Sequence, residues 1–143
     1  MSRYEVWAPT ATTVGLIVDG AQCSLRRGDD GWWSTDEIVP EHGARYGFTI
    51  DGSDPLPDPR SPFQPDGVHA MSAWVDHGAF EWTDHEWRGV PLAGAVLYEM
   101  HVGTFTPGGT FDDAIPKLRH LRDLGVDAVE VMPVGAFPCD RGW

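Results

Sequence analysis

Three side chains capable of acid or base chemistry lie in two apolar segments near the end of the chain. Glu99 and His101 are two residues apart in segment 93–105, and Glu130 lies in segment 126–134. Residues two apart in a strand point to the same face, so Glu99 and His101 could act together as a general acid and base. The same spacing fits a structural role, in which these groups hydrogen-bond to each other or to neighbouring strands.

Aromatic side chains offer a second kind of chemistry, which is the stacking of sugar rings. Trp32 and Trp33 are adjacent, so in a strand one ring faces the interior and the other faces outwards. The outward ring is a candidate platform for glucose units. The alternative, which we favour, is that this ring packs against the last third of the chain or against the proline-rich segment, both described below.

Composition and charge exclude several classes of partner. The 143 residues are 41% hydrophobic and include seven Trp, which is enough apolar material for a globular core. A formal net charge of -12 repels the phosphates of nucleic acid and the headgroups of an anionic membrane, whereas a neutral sugar is indifferent to it. We therefore expect neither nucleic acid nor a membrane as a partner.

The N-terminal residues and the cysteines indicate where such a protein works. The start MSRYEVWAP lacks the apolar core of a signal peptide, and no apolar run reaches the roughly 18 residues that span a bilayer. A cytoplasmic location is expected. Cys23 and Cys139 form no C-x-x-C pair and the six His lack ligand spacing, so we predict no disulfide, metal or cofactor.

Residues 3–51 have the pattern of an antiparallel β-sandwich. Short runs rich in Val, Ile, Thr and aromatic residues recur about every ten residues. Asp-Gly pairs and related residues mark turns at 19–20, 29–31 and 51–55. No helix is predicted in this part.

The next segment, residues 54–68, contains five prolines and cannot be a central strand. Leu56, Phe63 and Val68 alternate with these prolines, which favours a packed irregular arm over a flexible linker. Four aromatic residues follow in an acidic stretch and are expected to supply contact area between two units: Trp74, Phe80, Trp82 and Trp87.

The last third of the chain has the pattern of a βαβ unit. Segment 93–105 is nearly continuously apolar, as in a parallel strand that is covered on both faces. An amphipathic helix is predicted between the N-cap Thr110 and the stop Gly125, with a kink or a late start at Pro116. Segment 126–134 is the second strand.

Two parallel strands with one helix do not complete a domain, because the outer strand edges lack partners and the helix covers only one face. We therefore expect the missing neighbours to come from the remainder of a longer protein. The alternative source is a strand-exchanged or self-associated oligomer of this chain.

Residues 97–143 resemble the first strand, helix and second strand of the catalytic barrel in the α-amylase clan of glycoside hydrolases. The motifs are Tyr-Glu-x-His-Val-Gly at 98–103 and Met-Pro-Val at 132–134. HVGTFTPGGTFDDAI and AFPCDRGW are most similar to the malto-oligosyltrehalose trehalohydrolase family of that clan. VWAPTATTVGLIVDG, YGFTIDG and LPDPRSPFQPDGVHAMS resemble the immunoglobulin-like domain that precedes the barrel.

The resemblance implies an all-β immunoglobulin-like sandwich, followed by the first βαβ unit of an incomplete (β/α)8 TIM barrel. We expect the sandwich at 1–52, a proline-rich and tryptophan-rich connecting arm at 53–92, and the start of the barrel at 93–143.

The resemblance also implies a retaining glycosidase that cleaves the α-1,4 bond next to the terminal trehalose of maltooligosyl trehalose, with an Asp nucleophile and a Glu acid/base. In this clan those carboxylates lie at the ends of later barrel strands. No catalytic residue is therefore assigned to this chain, which is predicted to be an inactive fragment. Glu99 and His101 lie within a strand, so we assign them a structural role.

The loops after the two strands would border the active cleft of such a barrel, and Phe137 and Trp143 are the predicted substrate contacts. The expected ligand is maltooligosyl trehalose or an α-glucan. A fragment of a glycogen branching or debranching enzyme, and a non-catalytic glucan-binding module, are the alternatives.

Overall fold

A computed structural model describes residues 3–139 of the chain. Trp143, one of the two predicted substrate contacts, lies outside the described residues. The chain divides into two compact units. Unit 1 contains residues 3–81 and 136–139 of the described part, and unit 2 contains residues 82–135.

Unit 1 is built from two antiparallel sheets. The first has the order β1-β5-β4 and the second has the order β3-β2-β6-β7. The strands are β1 (Glu5–Trp7), β2 (Val14–Val18), β3 (Ala21–Ser24), β4 (Arg26–Arg27), β5 (Trp32–Ser34), β6 (Arg45–Ile50) and β7 (Ser72–Ala73). A short 3-10 helix follows at His77–Ala79.

One hydrophobic core is common to both sheets. In the second sheet Leu16 of β2 lies opposite Phe48 of β6, and both side chains are buried. Trp33 of β5 is buried with them, and its indole Nε1 donates to the carbonyl of Ala8 at 3.0 Å. Burial of each large side chain stabilises the fold by about 1.5–3 kcal/mol. The core residues are Tyr4, Val6, Ala11, Val14, Leu16, Leu25, Trp33, Tyr46 and Phe48.

The predicted turns are confirmed at residues 19–20, 29–30 and 51–52, and the first and last of them have positive φ at two consecutive residues. Val18 pairs with Ala21, so Asp19 and Gly20 form a two-residue hairpin loop, and their φ angles are 47° and 86°. Positive φ at both central residues matches the twist of the adjoining strands, and Asp and Gly tolerate it best. Asp51 and Gly52, with φ of 49° and 83°, repeat this geometry after β6.

The proline-rich segment is packed, as predicted, but polar groups rather than apolar side chains hold it. Leu56 exchanges two backbone hydrogen bonds with Phe48, at 2.8 and 2.9 Å. The side chains of Leu56 and Phe63 remain about half exposed. Asp58, in contrast, is buried and hydrogen-bonded to Tyr46 of β6 and to Ser72 of β7. Beyond it, Ser72 and Ala73 add an edge strand that the sequence did not predict.

Only one of the four aromatic residues after this segment joins a core. The Trp74 ring lies 4.9 Å from that of Tyr4, edge to face, in an aromatic cluster that includes Tyr46. Phe80, Trp82 and Trp87 are each more than half exposed. Trp74 therefore packs within unit 1, and contact area between two units stays a prediction for these residues.

Unit 2 contains the predicted strand, helix and strand in order. Its elements are β8 (Leu97–Met100), α1 (Val102–Phe105), α2 (Phe111–Leu124) and β9 (Ala128–Val131), and β8 pairs with β9 in parallel. The Thr110 hydroxyl accepts from the Asp113 N–H at 3.1 Å, and Gly125 ends α2 in the left-handed region at φ 96°.

Two details of unit 2 differ from the prediction. The strand predicted over 93–105 occupies only Leu97–Met100, because the chain turns into α1 with a hydrogen bond from the Phe105 N–H to the His101 carbonyl. The prediction that α2 could start late, at Pro116, is also wrong. The helix begins at Phe111 and contains Pro116 in its second turn.

Much of the apolar surface of unit 2 is exposed. On α2 only Ala114 and Leu121 are buried, whereas Phe111, Ile115 and Leu118 are between 40% and 61% exposed. The expectation that β8 is covered on both faces is wrong for the described residues, because Met100 is its one buried side chain. No helix within residues 3–139 is long and apolar enough to cross a membrane.

Candidate functional site

The three acid and base candidates of unit 2 do not form a catalytic pair. Glu99 and Glu130 lie directly opposite each other in the β8–β9 register, and both are exposed. Among the described residues, no hydrogen bond joins the Glu99 side chain to that of His101. The expectation that Glu99 is buried is wrong for these residues, because its side chain is exposed at the edge of a groove that α2 also lines.

The prediction that His101 lies within a strand is wrong, because it follows Met100, the last residue of β8, and is the N-cap of α1. His101 borders a groove of about 570 Å³ together with Tyr98, Phe105 and His120. Its Nδ1 is buried and has no hydrogen-bond partner among residues 3–139. An unpaired buried ring nitrogen costs about 1–3 kcal/mol, which is the consequence expected when a structural partner is missing.

The Thr-Pro-Gly-Gly loop before α2 is a rigid turn. The Gly109 N–H donates to the carbonyl and to the hydroxyl of Thr106, at 3.2 and 3.1 Å, and Thr106 is buried. The Thr110 hydroxyl donates to the Asp113 carboxylate at 2.7 Å. This carboxylate lies so close to Gly108 that a side chain at 108 would collide with it. A negative charge beside the loop agrees with its prediction as a turn and disfavours a phosphate site.

The outward tryptophan is covered by the proline-rich segment. The Arg60 guanidinium lies 4.5 Å from the centre of the Trp32 ring, and its NH2 group donates to the Glu5 carbonyl at 2.7 Å. A cation over an aromatic face is worth about 0.5–1 kcal/mol at an exposed site. The favoured packing role of Trp32 against the proline-rich segment is thus confirmed, and the guanidinium covers one face of its ring.

A polar cleft of about 510 Å³ opens beside this cation in unit 1, with Tyr46 and Asp58 in its lining. Burial, followed by the hydrogen bond to Asp58, raises the pKa of Tyr46. Burial, followed by the charges of Asp19 and Glu41, raises the pKa of the neighbouring Tyr4 from 10.0 to about 12. Both hydroxyls are therefore protonated at neutral pH, so they can donate hydrogen bonds but cannot act as bases.

Phe137 lies in a different cleft of unit 1, with a volume of about 550 Å³. Its ring is 43% exposed. The opposite wall is formed by residues 66–70, which include Asp66 and His69. Sequence reasoning did not connect these two residues with Phe137. The sequence feature that could have indicated them is the Pro-Asp-Gly turn at 65–67, because it lies in a segment too apolar to be a flexible linker.

Metal and thiol chemistry find no support in the described residues. Within residues 3–139, no group of three or more His, Cys, Asp or Glu side chains is arranged to hold a metal ion. Neither Cys23 nor Cys139 takes part in a disulfide there. Burial raises the pKa of the Cys23 thiol, which disfavours the reactive thiolate.

The similarity of this chain to known proteins covers both of its units. No family model matches the chain. A malto-oligosyltrehalose trehalohydrolase from Mycobacterium tuberculosis (strain CDC 1551 / Oshkosh) is 52% identical over 100% of the chain, which covers 25% of that enzyme. The chain matches the malto-oligosyltrehalose trehalohydrolases along its whole length. It spans about a quarter of the length of these trehalohydrolases.

More distant similarity reaches other α-amylase-type enzymes. A crystal structure from Salmonella typhimurium, provisionally assigned as an alpha amylase, superposes with a TM-score of 0.90 at 40% identity, over 99% of this chain and 24% of that one. A 1,4-alpha-glucan branching enzyme from Aliivibrio fischeri is 28% identical over 99% of the chain and 23% of its own length. Identity to the trehalohydrolase is thus nearly twice that to the branching enzyme.

Proposed function

We propose that this chain is the N-terminal part of a trehalose-forming glycoside hydrolase, which cleaves the α-1,4 bond next to the terminal trehalose of maltooligosyl trehalose. The observation that carries the proposal is the 52% identity to a trehalohydrolase along the whole chain. The catalytic carboxylates of such a retaining glycosidase belong to later barrel strands, so this chain contributes none of them.

In this proposal residues 1–52, which contribute strands β1 to β6 of the two antiparallel sheets, are an immunoglobulin-like accessory domain. The arm follows at 53–92 and adds strand β7 to the second sheet. Residues 93–143 are the first βαβ unit of the catalytic barrel. Support comes from the parallel pairing of β8 with β9 across a helix, and from the apolar side chains that unit 2 leaves exposed. Later strands and helices of a barrel would cover those side chains and supply a partner for His101 Nδ1.

The proposed ligand is a neutral α-glucan that ends in trehalose, and Phe137 is its proposed contact in this chain. An aromatic ring that is 43% exposed beside polar groups suits the apolar face of a glucose unit. Trp143 stays a predicted contact, and a cytoplasmic location stays a prediction.

The experiment that tests this function uses the longer protein that begins with this chain. It is incubated with maltooligosyl trehalose, and the products are separated by anion-exchange chromatography. The expected products are free trehalose and a maltooligosaccharide. Transfer of glucan segments to new branch points without release of trehalose would favour a branching enzyme instead, which the 28% identity does not favour.

A further inference from the structure

The cleft that contains Phe137 has a second wall formed by residues 66–70 of the proline-rich arm. Both walls belong to unit 1, because residues 136–139 group with that unit. The arm thus reaches the one described residue that is proposed to touch substrate. Nothing in the resemblance assigns substrate contacts to the arm.

The arm wall is fixed by two consecutive turns. The Gly67 N–H donates to the Gln64 carbonyl at 3.2 Å, and the Ala70 N–H donates to the Gly67 carbonyl at 3.1 Å. Gly67 has a φ of 96°, where a side chain would be strained. Because two hydrogen bonds close the backbone on both sides of Gly67, the backbone at Asp66 and His69 is held in place before any ligand binds, which lowers the entropic cost of binding.

An ion pair to β6 also fixes Asp66. The Nε atom of Arg45 donates to Asp66 Oδ2 at 2.9 Å, while the Asp66 side chain remains 60% exposed. A carboxylate has about four acceptor sites, so Asp66 retains capacity for a ligand hydroxyl. His69 is exposed, and its imidazole nitrogens can donate to or accept from hydroxyl groups.

The chemistry of this cleft suits a sugar. The exposed ring of Phe137 can stack on the apolar C–H face of a sugar. The Asp66 carboxylate and the His69 imidazole can hydrogen-bond to its hydroxyl groups. A chain with a net charge of -12 disfavours an anionic ligand and is indifferent to a neutral one. A few polar groups placed around an apolar surface are typical of small-molecule sites.

We infer that the turn at residues 64–70 is a second wall of the substrate site, on which Asp66 and His69 hydrogen-bond glucose hydroxyls while Phe137 packs against the sugar ring. The inference rests on the proposed function and adds to it a specificity-determining segment from the accessory part of the chain. The two residues contact substrate but take no part in bond cleavage.

The test uses His69→Ala and His69→Gln in the longer protein that begins with this chain, with His77→Ala as the matched control. His77 is also an exposed histidine of unit 1, but it lies in the 3-10 helix and outside this cleft. KM and kcat are measured for trehalose release from maltooligosyl trehalose. Melting temperatures within about 1 °C of wild type would establish that the variants fold, as expected for exposed surface substitutions.

His69→Ala is expected to raise KM by about 2- to 12-fold with kcat nearly unchanged, because one hydrogen bond that forms equally in the ground state and the transition state is lost. His69→Gln keeps a donor and an acceptor and is expected to recover part of this loss. His77→Ala is expected to match wild type.

Two other results overturn the inference, and they are distinguishable. If the wild-type protein releases trehalose and His69→Ala has the same KM as His77→Ala, the arm is not part of the substrate site and the proposed function stands. If the wild-type protein releases no trehalose, the proposed function fails and this inference fails with it.

Discussion

The hydroxyl of Tyr46 donates a 2.8 Å hydrogen bond to a carboxylate oxygen of Asp58, and both residues are buried. This bond joins strand β6 to the proline-rich arm. The Arg60 N–H donates to the other carboxylate oxygen at 2.9 Å, and the Asp58 N–H donates to the Ser72 hydroxyl at 3.0 Å. A buried carboxylate that accepts from two donors therefore anchors the arm to strand β6.

Replacement of Tyr46 by Phe tests this anchor. The change removes one donor from a buried carboxylate while it keeps the aromatic packing, so the free energy of unfolding should fall by about 1–3 kcal/mol. Urea denaturation of the 143-residue chain measures the loss. Tyr98→Phe in unit 2 is the matched control and should cost less. Equal stability of the two variants would contradict the role of the Tyr46–Asp58 bond.

The raised pKa values of the two buried tyrosines predict a loss of stability at alkaline pH. The pKa of Tyr4 is raised from 10.0 to about 12, and that of Tyr46 is raised as well. Above pH 10 the unfolded chain loses these protons while the folded chain keeps them, so the unfolded state binds fewer protons and stability falls as pH rises. Below pH 10 this contribution is fully present.

Denaturation curves between pH 8 and pH 12 measure this dependence. The slope of stability against pH should become negative near pH 10, and it should be shallower in Tyr4→Phe, which removes one of the two groups. A wild-type chain whose stability does not change between pH 9.5 and pH 11.5 would contradict the burial of these hydroxyls.

The two adjacent tryptophans should differ in their contribution to stability. Trp33 is 6% exposed in the core, so Trp33→Ala should cost about 3–5 kcal/mol through the cavity it leaves. Trp32→Ala should cost clearly less, because its side chain is only partly buried and its ring lies against the exposed Arg60 cation. Chemical denaturation measures the loss of unfolding free energy in both variants. A larger loss for Trp32→Ala would be inconsistent with an inward Trp33 and an outward Trp32.

The isolated 143-residue chain is expected to self-associate. Phe111, Ile115 and Leu118 leave an apolar stripe exposed on α2, and exposed patches of this kind drive association in water. Size-exclusion chromatography with light scattering should give a mass above that of one chain at micromolar concentration. Ile115→Lys should reduce the association and Arg119→Gln should not. A well-behaved monomer would contradict this expectation.

The sequence predicted the features that depend on local chemistry. Asp19-Gly20 forms a hairpin turn because positive φ is tolerated there. Helix α2 begins after Thr110 and ends at Gly125, because these two caps satisfy backbone groups that the helix leaves without partners. Trp33 faces inwards and Trp32 outwards because side chains alternate along a strand.

The sequence did not predict features that depend on long-range contacts. Ser72 and Ala73 form a strand only because the edge of β6 is available for pairing. Segment 93–105 has the composition of one long strand, yet hydrogen bonds to the His101 carbonyl turn it into a helix. The cleft that contains His69 and Phe137 joins residues 68 positions apart, which no local pattern reveals.

The most direct test of the account compares trehalose release by the 143-residue chain alone with release by the longer protein that begins with it, on the same maltooligosyl trehalose. The catalytic carboxylates are proposed to lie in later barrel strands, outside this chain. Trehalose release is therefore expected from the longer protein, and no release above the uncatalysed rate is expected from the chain alone. Release of trehalose by the 143-residue chain, or no release by the longer protein, would contradict this proposal.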